Sequence, residues 1–142
     1  MAVSKSFRRF GLVLLLVGIG IQFVPTDRSN PPVTRDVDAS PEVEAILRRA
    51  CYDCHSNQVR WPWYAYVAPV SWWVAHDVEE GRSHLNFSTW DRYDEGRLQR
   101  LKNEIMDEVQ EGHMPPRNYV WMHGDADLSD ADIRAIVAWV KS

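Results

Sequence analysis

The sequence predicts an all-α fold, and three observations predict it. Apolar residues recur at helical spacing in three separate segments, caps and stops bracket those segments, and strand-type alternation runs over no useful length. At 142 residues the chain suits one domain of ordinary size. With 45% hydrophobic residues, seven Trp and five Tyr, it can bury one modest core. Two cysteines are too few for the disulfide framework of a small secreted scaffold, so they act as one local unit.

The first element is N-terminal. Lys5, Arg8 and Arg9 precede an apolar run over 10–24 in which only Gln22 is clearly polar. Cations before an apolar run direct export, with the cations retained on the cytoplasmic side. Fifteen residues at ~1.5 Å each span about 22 Å, short of a ~30 Å hydrocarbon core, which favours a signal peptide. IQFVPTD offers no small-residue cleavage site, and this tips the reading of residues 1–24 to an uncleaved signal-anchor. The rest of the chain is expected on the periplasmic side of the inner membrane, anchored by this helix, or soluble in the periplasm after cleavage. Net charge is −4; without the three leading cations, 13 basic residues face 20 acidic ones, giving −7 (13 minus 20). No basic stripe exists, so nucleic acid is not an expected partner.

Residues 25–39 are rich in Pro, Asp, Ser and Asn and read as a linker to a domain over 40–142. That domain opens with a helix over 40–50. Ser40 is a good N-cap, Pro41 fits the first helical position, and Val43, Ile46, Leu47 and Ala50 share a face. Residues 56–70 read as an aromatic loop, 71–80 as a helix stopped by Gly81, and SHLNFSTW as a connection. A longer helix over 94–111 buries Leu98, Leu101, Ile105 and Val109 and ends at Gly112. Residues 113–127 read as a loop. The last helix starts at Ser129 with Asp132 as its capping-box partner, and Ile133, Ile136, Val137 and Val140 face inward.

The chemistry centres on CYDCHSN, residues 51–57. Two cysteines separated by two residues and followed by histidine form the attachment signature for haem c. Cys51 and Cys54 can reach the two vinyl groups of one porphyrin, and His55 can then ligate iron. A zinc site needs a second ligand pair, and no further cysteine exists; His76, His84, His113 and His123 are scattered. A thioredoxin-like dithiol wants a βαβ context that this chain lacks. The sixth ligand is expected at Met114, on a loop between Gly112 and the pair Pro115 and Pro116, ahead of its rivals Met122 and His123; a soft thioether there raises the reduction potential. Met106, inside the long helix, reads as core filler. Arg60, Trp61 and Trp63 are expected propionate partners, and the carbonyl of Pro62 or Pro69 is expected to fix His55. No Ser/His/Asp arrangement or glycine-rich phosphate loop accompanies the motif.

With these residues in view, the chain resembles the exported haem-binding domain family of cytochrome c-like proteins. The resemblance rests on CYDCHSN, WPWYAYVAPVSWWVAHDVEEGR, HLNFSTW, DEVQEGHMPP and LSDADIRAIVAWV, spanning about 41–141. It implies a compact cytochrome c-like helical domain around one covalent haem on Cys51 and Cys54, with His55 proximal and Met114 distal. The expected function is electron transfer outside the cytoplasm, with redox proteins as partners and the membrane engaged through the N-terminal segment. The alternative is a haem-based sensor, small-ligand binder or peroxidase-like enzyme with a labile sixth ligand.

Overall fold

A computed structural model describes residues 5–142. Among them are seven α-helices and no β-strand: α1 (Lys5–Gly20), α2 (Pro41–Ala50), α3 (Tyr52–His55), α4 (Val70–His84), α5 (Glu95–Gln110), α6 (Arg117–Met122) and α7 (Asp130–Val140). The all-α expectation therefore holds. The chain forms two compact units: residues 5–28 with Trp61–Asp77, and Ser29–Arg60 with Val78–Ser142.

In the first unit, Lys5–Phe23 is one continuous helical stretch, long and apolar enough to cross a membrane, with none of its residues buried. Gln22 near its end pairs with the backbone of Ala68: Nε2 donates to the Ala68 carbonyl at 3.1 Å, and Oε1 accepts the Ala68 N–H at 3.0 Å. Arg28 donates to the Ala65 carbonyl at 3.3 Å and lies 4.7 Å over the Tyr66 ring.

The second unit holds the core: Val43, Ile46 and Leu47 of α2, Tyr52 of α3, Leu101, Ile105 and Val109 of α5, and Ile136, Trp139 and Val140 of α7, joined by Leu85, Phe87 and Trp90. α7 packs on both α2 and α5. Leu47 and Ile136 are fully buried, each contributing on the order of 2 kcal/mol by removal from water. The helix ends follow from local chemistry. Ser40, Asp94 and Ser129 cap the N–H groups of Val43, Arg97 and Asp132. Gly112 ends the long helix at φ +71°, a left-handed conformation that glycine adopts without steric cost.

Three elements differ from the sequence expectation. α4 runs through Gly81 to His84, because Gly81 is placed for close approach rather than for a stop. Residues 117–122, expected as loop, form α6 behind Pro116 at its N-cap. Residues 29–39, expected as linker, are extended but tied down. Thr34 and Arg35 donate their N–H groups to the Ser88 carbonyl, and Asp36 accepts from the Tyr52 hydroxyl at 2.5 Å and from Arg48 at 2.8 Å. Asp38 gives its carbonyl to Trp139 Nε1 at 2.9 Å. These bonds replace water for a polar segment that has no periodicity of its own.

Asp132 closes the capping box with Ser129 and pairs with Arg49 of α2 at 2.7 Å. Its hydrogen bonds to Ser129 and then Arg49 pull its pKa down to about 2. A depressed carboxylate adds stability above the unfolded pKa of about 4 and loses it as pH falls through the folded value. Asp132→Ala is expected to cost about 1 kcal/mol at neutral pH. Urea unfolding across a pH series should show that deficit shrinking from about pH 4 to about pH 2; a deficit independent of pH would contradict the assignment.

Candidate functional site

The helix over 41–50 breaks at Cys51, whose backbone (φ −125°, ψ −34°) turns the chain before α3 resumes at Tyr52. Cys51, Cys54 and His55 are half-buried, while Tyr52 and Asp53 between the cysteines are buried. Tyr52 stacks on Phe87 with ring centroids 5.2 Å apart, which pins α3 to the core.

His55 is held by two carbonyls. Its Nδ1 lies 2.9 Å from the Gly81 oxygen and 3.2 Å from the Leu85 oxygen. Carbonyls only accept, so Nδ1 carries the proton and Nε2 keeps its lone pair for a ligand. Burial pushes the imidazole pKa below its ordinary value, against the pull of the Leu85 and Gly81 carbonyls, so the ring is neutral at physiological pH. These two residues take the place of the Pro62 or Pro69 carbonyl expected from the sequence.

Gly81 is needed at its position. A Cβ there would stand 2.7 Å from the Cys54 carbonyl oxygen and 3.1 Å from its carbon, both backbone atoms that cannot swing aside. The segment after α4 completes the seat. Phe87 N–H donates to the His55 carbonyl at 2.8 Å, Asn57 N–H to Ser88 Oγ at 3.0 Å, and Asn86 Nδ2 to Asn57 Oδ1 at 2.8 Å. The residues HSN and LNFS are thus stitched along their length. The sequence carried this signal in the LNFS motif without saying what it bonded.

The other predicted residues sort as follows. Asp53, which sequence reasoning passed over, accepts from the Tyr119 hydroxyl at 2.9 Å, from Arg60 N–H at 3.0 Å and from Arg60 Nε at 3.4 Å. Arg60 therefore faces Asp53, with its side chain largely exposed. Tyr119 stacks on His123 at 4.2 Å, and His123 Nδ1 lies 3.1 Å from the Tyr119 carbonyl. Burial, then Asp53, raises the Tyr119 phenol far above its ordinary value, so it remains a donor. Met114 sits on the turn after Gly112, its N–H donating to the Glu108 carbonyl at 3.2 Å. It lines a cavity of about 430 Å³ with Val109, Pro115, Val120, Leu128 and Ile133; none of Cys51, Cys54 or His55 lines that cavity. His113 is exposed and faces Glu108 and Glu111. In the first unit, Trp61 is half-buried and its buried Nε1 has no hydrogen-bond partner, whereas Trp63 is 75% exposed.

The competing chemistries weaken on this geometry. Among the described residues no group of three or more His, Cys, Asp or Glu side chains is arranged to hold a metal. Burial, then the neighbouring Cys54, pushes the Cys51 thiol up to about 12. A reactive dithiol would need the opposite shift.

The fold and site define an all-helical protein with one pre-oriented, neutral imidazole beside two cysteines. The haem-binding domain family matches residues 16–142, and the chain belongs to that family. No curated protein and no solved structure matches it. The residues fit the group the family binds: His55 presents a fixed Nε2, and both sulfurs lie within one turn of it.

Gly81→Ala is expected to cost about 1–3 kcal/mol through overpacking against the Cys54 backbone. It should also lower haem retention, because the carbonyl that orients His55 is displaced. Thermal unfolding and haem content per chain check this, and unchanged values of both would refute the close approach.

Proposed function

We propose that this chain is a mono-haem c-type electron carrier acting outside the cytoplasm, tethered to haem through Cys51 and Cys54 and ligating iron through His55 and Met114. The observation that carries the reading is the His55 ring, fixed at Nδ1 by the Gly81 and Leu85 carbonyls and left with Nε2 available. When bound, haem c supplies reversible one-electron chemistry at iron.

The chain's own residues do the rest. Cys51 and Cys54 would tether haem c as thioethers, one sulfur to each vinyl group. His55 would hold iron through Nε2, with its ring orientation kept by the Gly81 and Leu85 carbonyls. Met114 offers a thioether sulfur from a turn fixed by Gly112 and Glu108. Trp121, exposed on α6, supplies apolar surface near that turn. Arg60, largely exposed beside Asp53, is the proposed propionate partner. The apolar Lys5–Phe23 stretch supports membrane anchoring, with the remaining chain on the periplasmic side.

A second reading, a sensor or small-ligand binder with an open sixth position, draws on one observation: the cavity at Met114 is not lined by His55. Spectra separate the two. Electron transfer predicts a pyridine haemochrome of c type, a low-spin spectrum and a Met–iron charge-transfer band abolished in Met114→Ala, with a lowered reduction potential. A high-spin ferric spectrum that shifts on adding small ligands, and is indifferent to Met114→Ala, would favour the sensor. Protein made with the attachment machinery yet free of haem would sink both.

A further inference from the structure

Residues 61–76, WPWYAYVAPVSWWVAH, contain no Asp, Glu, Lys or Arg. They belong to the compact unit that also contains α1. Three of their rings face outward, Trp63 and Trp73 each 75% exposed and Tyr66 59% exposed, with Val67 and Val70 also uncovered. Large exposed aromatic side chains concentrated in one segment without charged residues of its own mark an interaction site rather than an ordinary solvated face. Trp and Tyr are enriched where a bilayer meets water, since one end of each ring is apolar and the other forms hydrogen bonds.

A second observation fixes the level of this surface. The Lys5–Phe23 stretch is the one apolar span among the described residues. Gln22, in its last turn, pairs in both directions with the backbone of Ala68, at 3.1 and 3.0 Å, and also donates to the Gly18 carbonyl at 3.0 Å. A polar amide at the edge of hydrocarbon needs such partners. Ala68 thus stands one hydrogen bond from where the span ends, and Thr26, Asp27 and Arg28 follow within six residues (28 minus 22). Arg28 itself bonds Ala65 and covers Tyr66.

We propose that residues 61–73 form a membrane-interface surface, with Trp63, Tyr66 and Trp73 seated among the lipid headgroups of the bilayer that α1 crosses. This rests on the reading of α1 as a membrane anchor. It gives Trp63 a role in lipid contact rather than at a propionate.

Site-directed nitroxide labelling of the full-length holoprotein in phosphatidylcholine–phosphatidylglycerol vesicles tests it. Cys51 and Cys54 are blocked as thioethers, and wild-type protein taken through the same labelling gives the background. Labels are placed by Trp63→Cys and Trp73→Cys, whose exposed side chains leave packing intact. Leu14→Cys in α1 reports the anchor, and Gln99→Cys on α5 reports water. The Trp63 and Trp73 labels are expected to be shielded several-fold from a water-soluble nickel chelate relative to Gln99, and less than the Leu14 label. A shielded Leu14 label with Trp63 and Trp73 labels as open as Gln99 overturns the surface and leaves the anchor standing, and a partner protein then becomes its occupant. An open Leu14 label overturns the anchor reading and the surface with it.

Discussion

An acceptor on one ring nitrogen fixes a histidine in the orientation and tautomer that suit a metal ligand, and for His55 two backbone carbonyls do both. Those carbonyls lie on either side of the α4 terminus, so the position of that helix end decides whether the imidazole is ready. Three things set it. Gly81 lets the helix backbone touch the Cys54 backbone. Phe87 N–H closes on the His55 carbonyl. The Phe87 ring, nearly fully buried, stacks on Tyr52 from the motif itself. Ser88 then hands the order outward, its carbonyl taking the N–H groups of Thr34 and Arg35. The extended residues 29–39 are therefore part of the same assembly as the histidine.

The legible parts of the fold were those whose causes are local in sequence. Ser40, Asp94 and Ser129 cap helices a few residues away, and Gly112 needs only its own φ to end one. The all-α class and the boundaries of α2, α5 and α7 followed from such signals, and the haem-binding family from a resemblance carried by CYDCHSN and the motifs after it. Gly81 was ambiguous for a physical reason: a glycine after ten helical residues looks the same whether it ends a helix or makes room for a neighbour. Its neighbour is Cys54, far away in the chain. The acceptors for His55 lie 26 and 30 residues on, beyond any local pattern. α6, at six residues, is too short to show a period, and its formation rests on Pro116 and tertiary contacts rather than on propensity.

Asp53 shows how the motif helix and the segment carrying Met114 are joined. A carboxylate buried between two cysteines would be costly unless its oxygens were satisfied. Here Oδ1 takes Arg60 N–H, and Oδ2 takes the Tyr119 hydroxyl from 66 residues away. Tyr119 lies on α6, five residues after Met114 (119 minus 114). The segment carrying Met114 is therefore fastened at both ends, by the Gly112 turn off α5 and by Tyr119 on the motif helix. Arg49 of α2 adds bonds to the Asp125 and Asp127 carbonyls at 2.8 and 3.3 Å, just past α6. A methionine offered from such a segment is constrained by hydrogen bonds on both sides rather than by its own packing, which fits an exposure of 38%. The same Asp53 carboxylate that the motif spacing left unremarked thus ties the segment carrying Met114 to the helix carrying the cysteines.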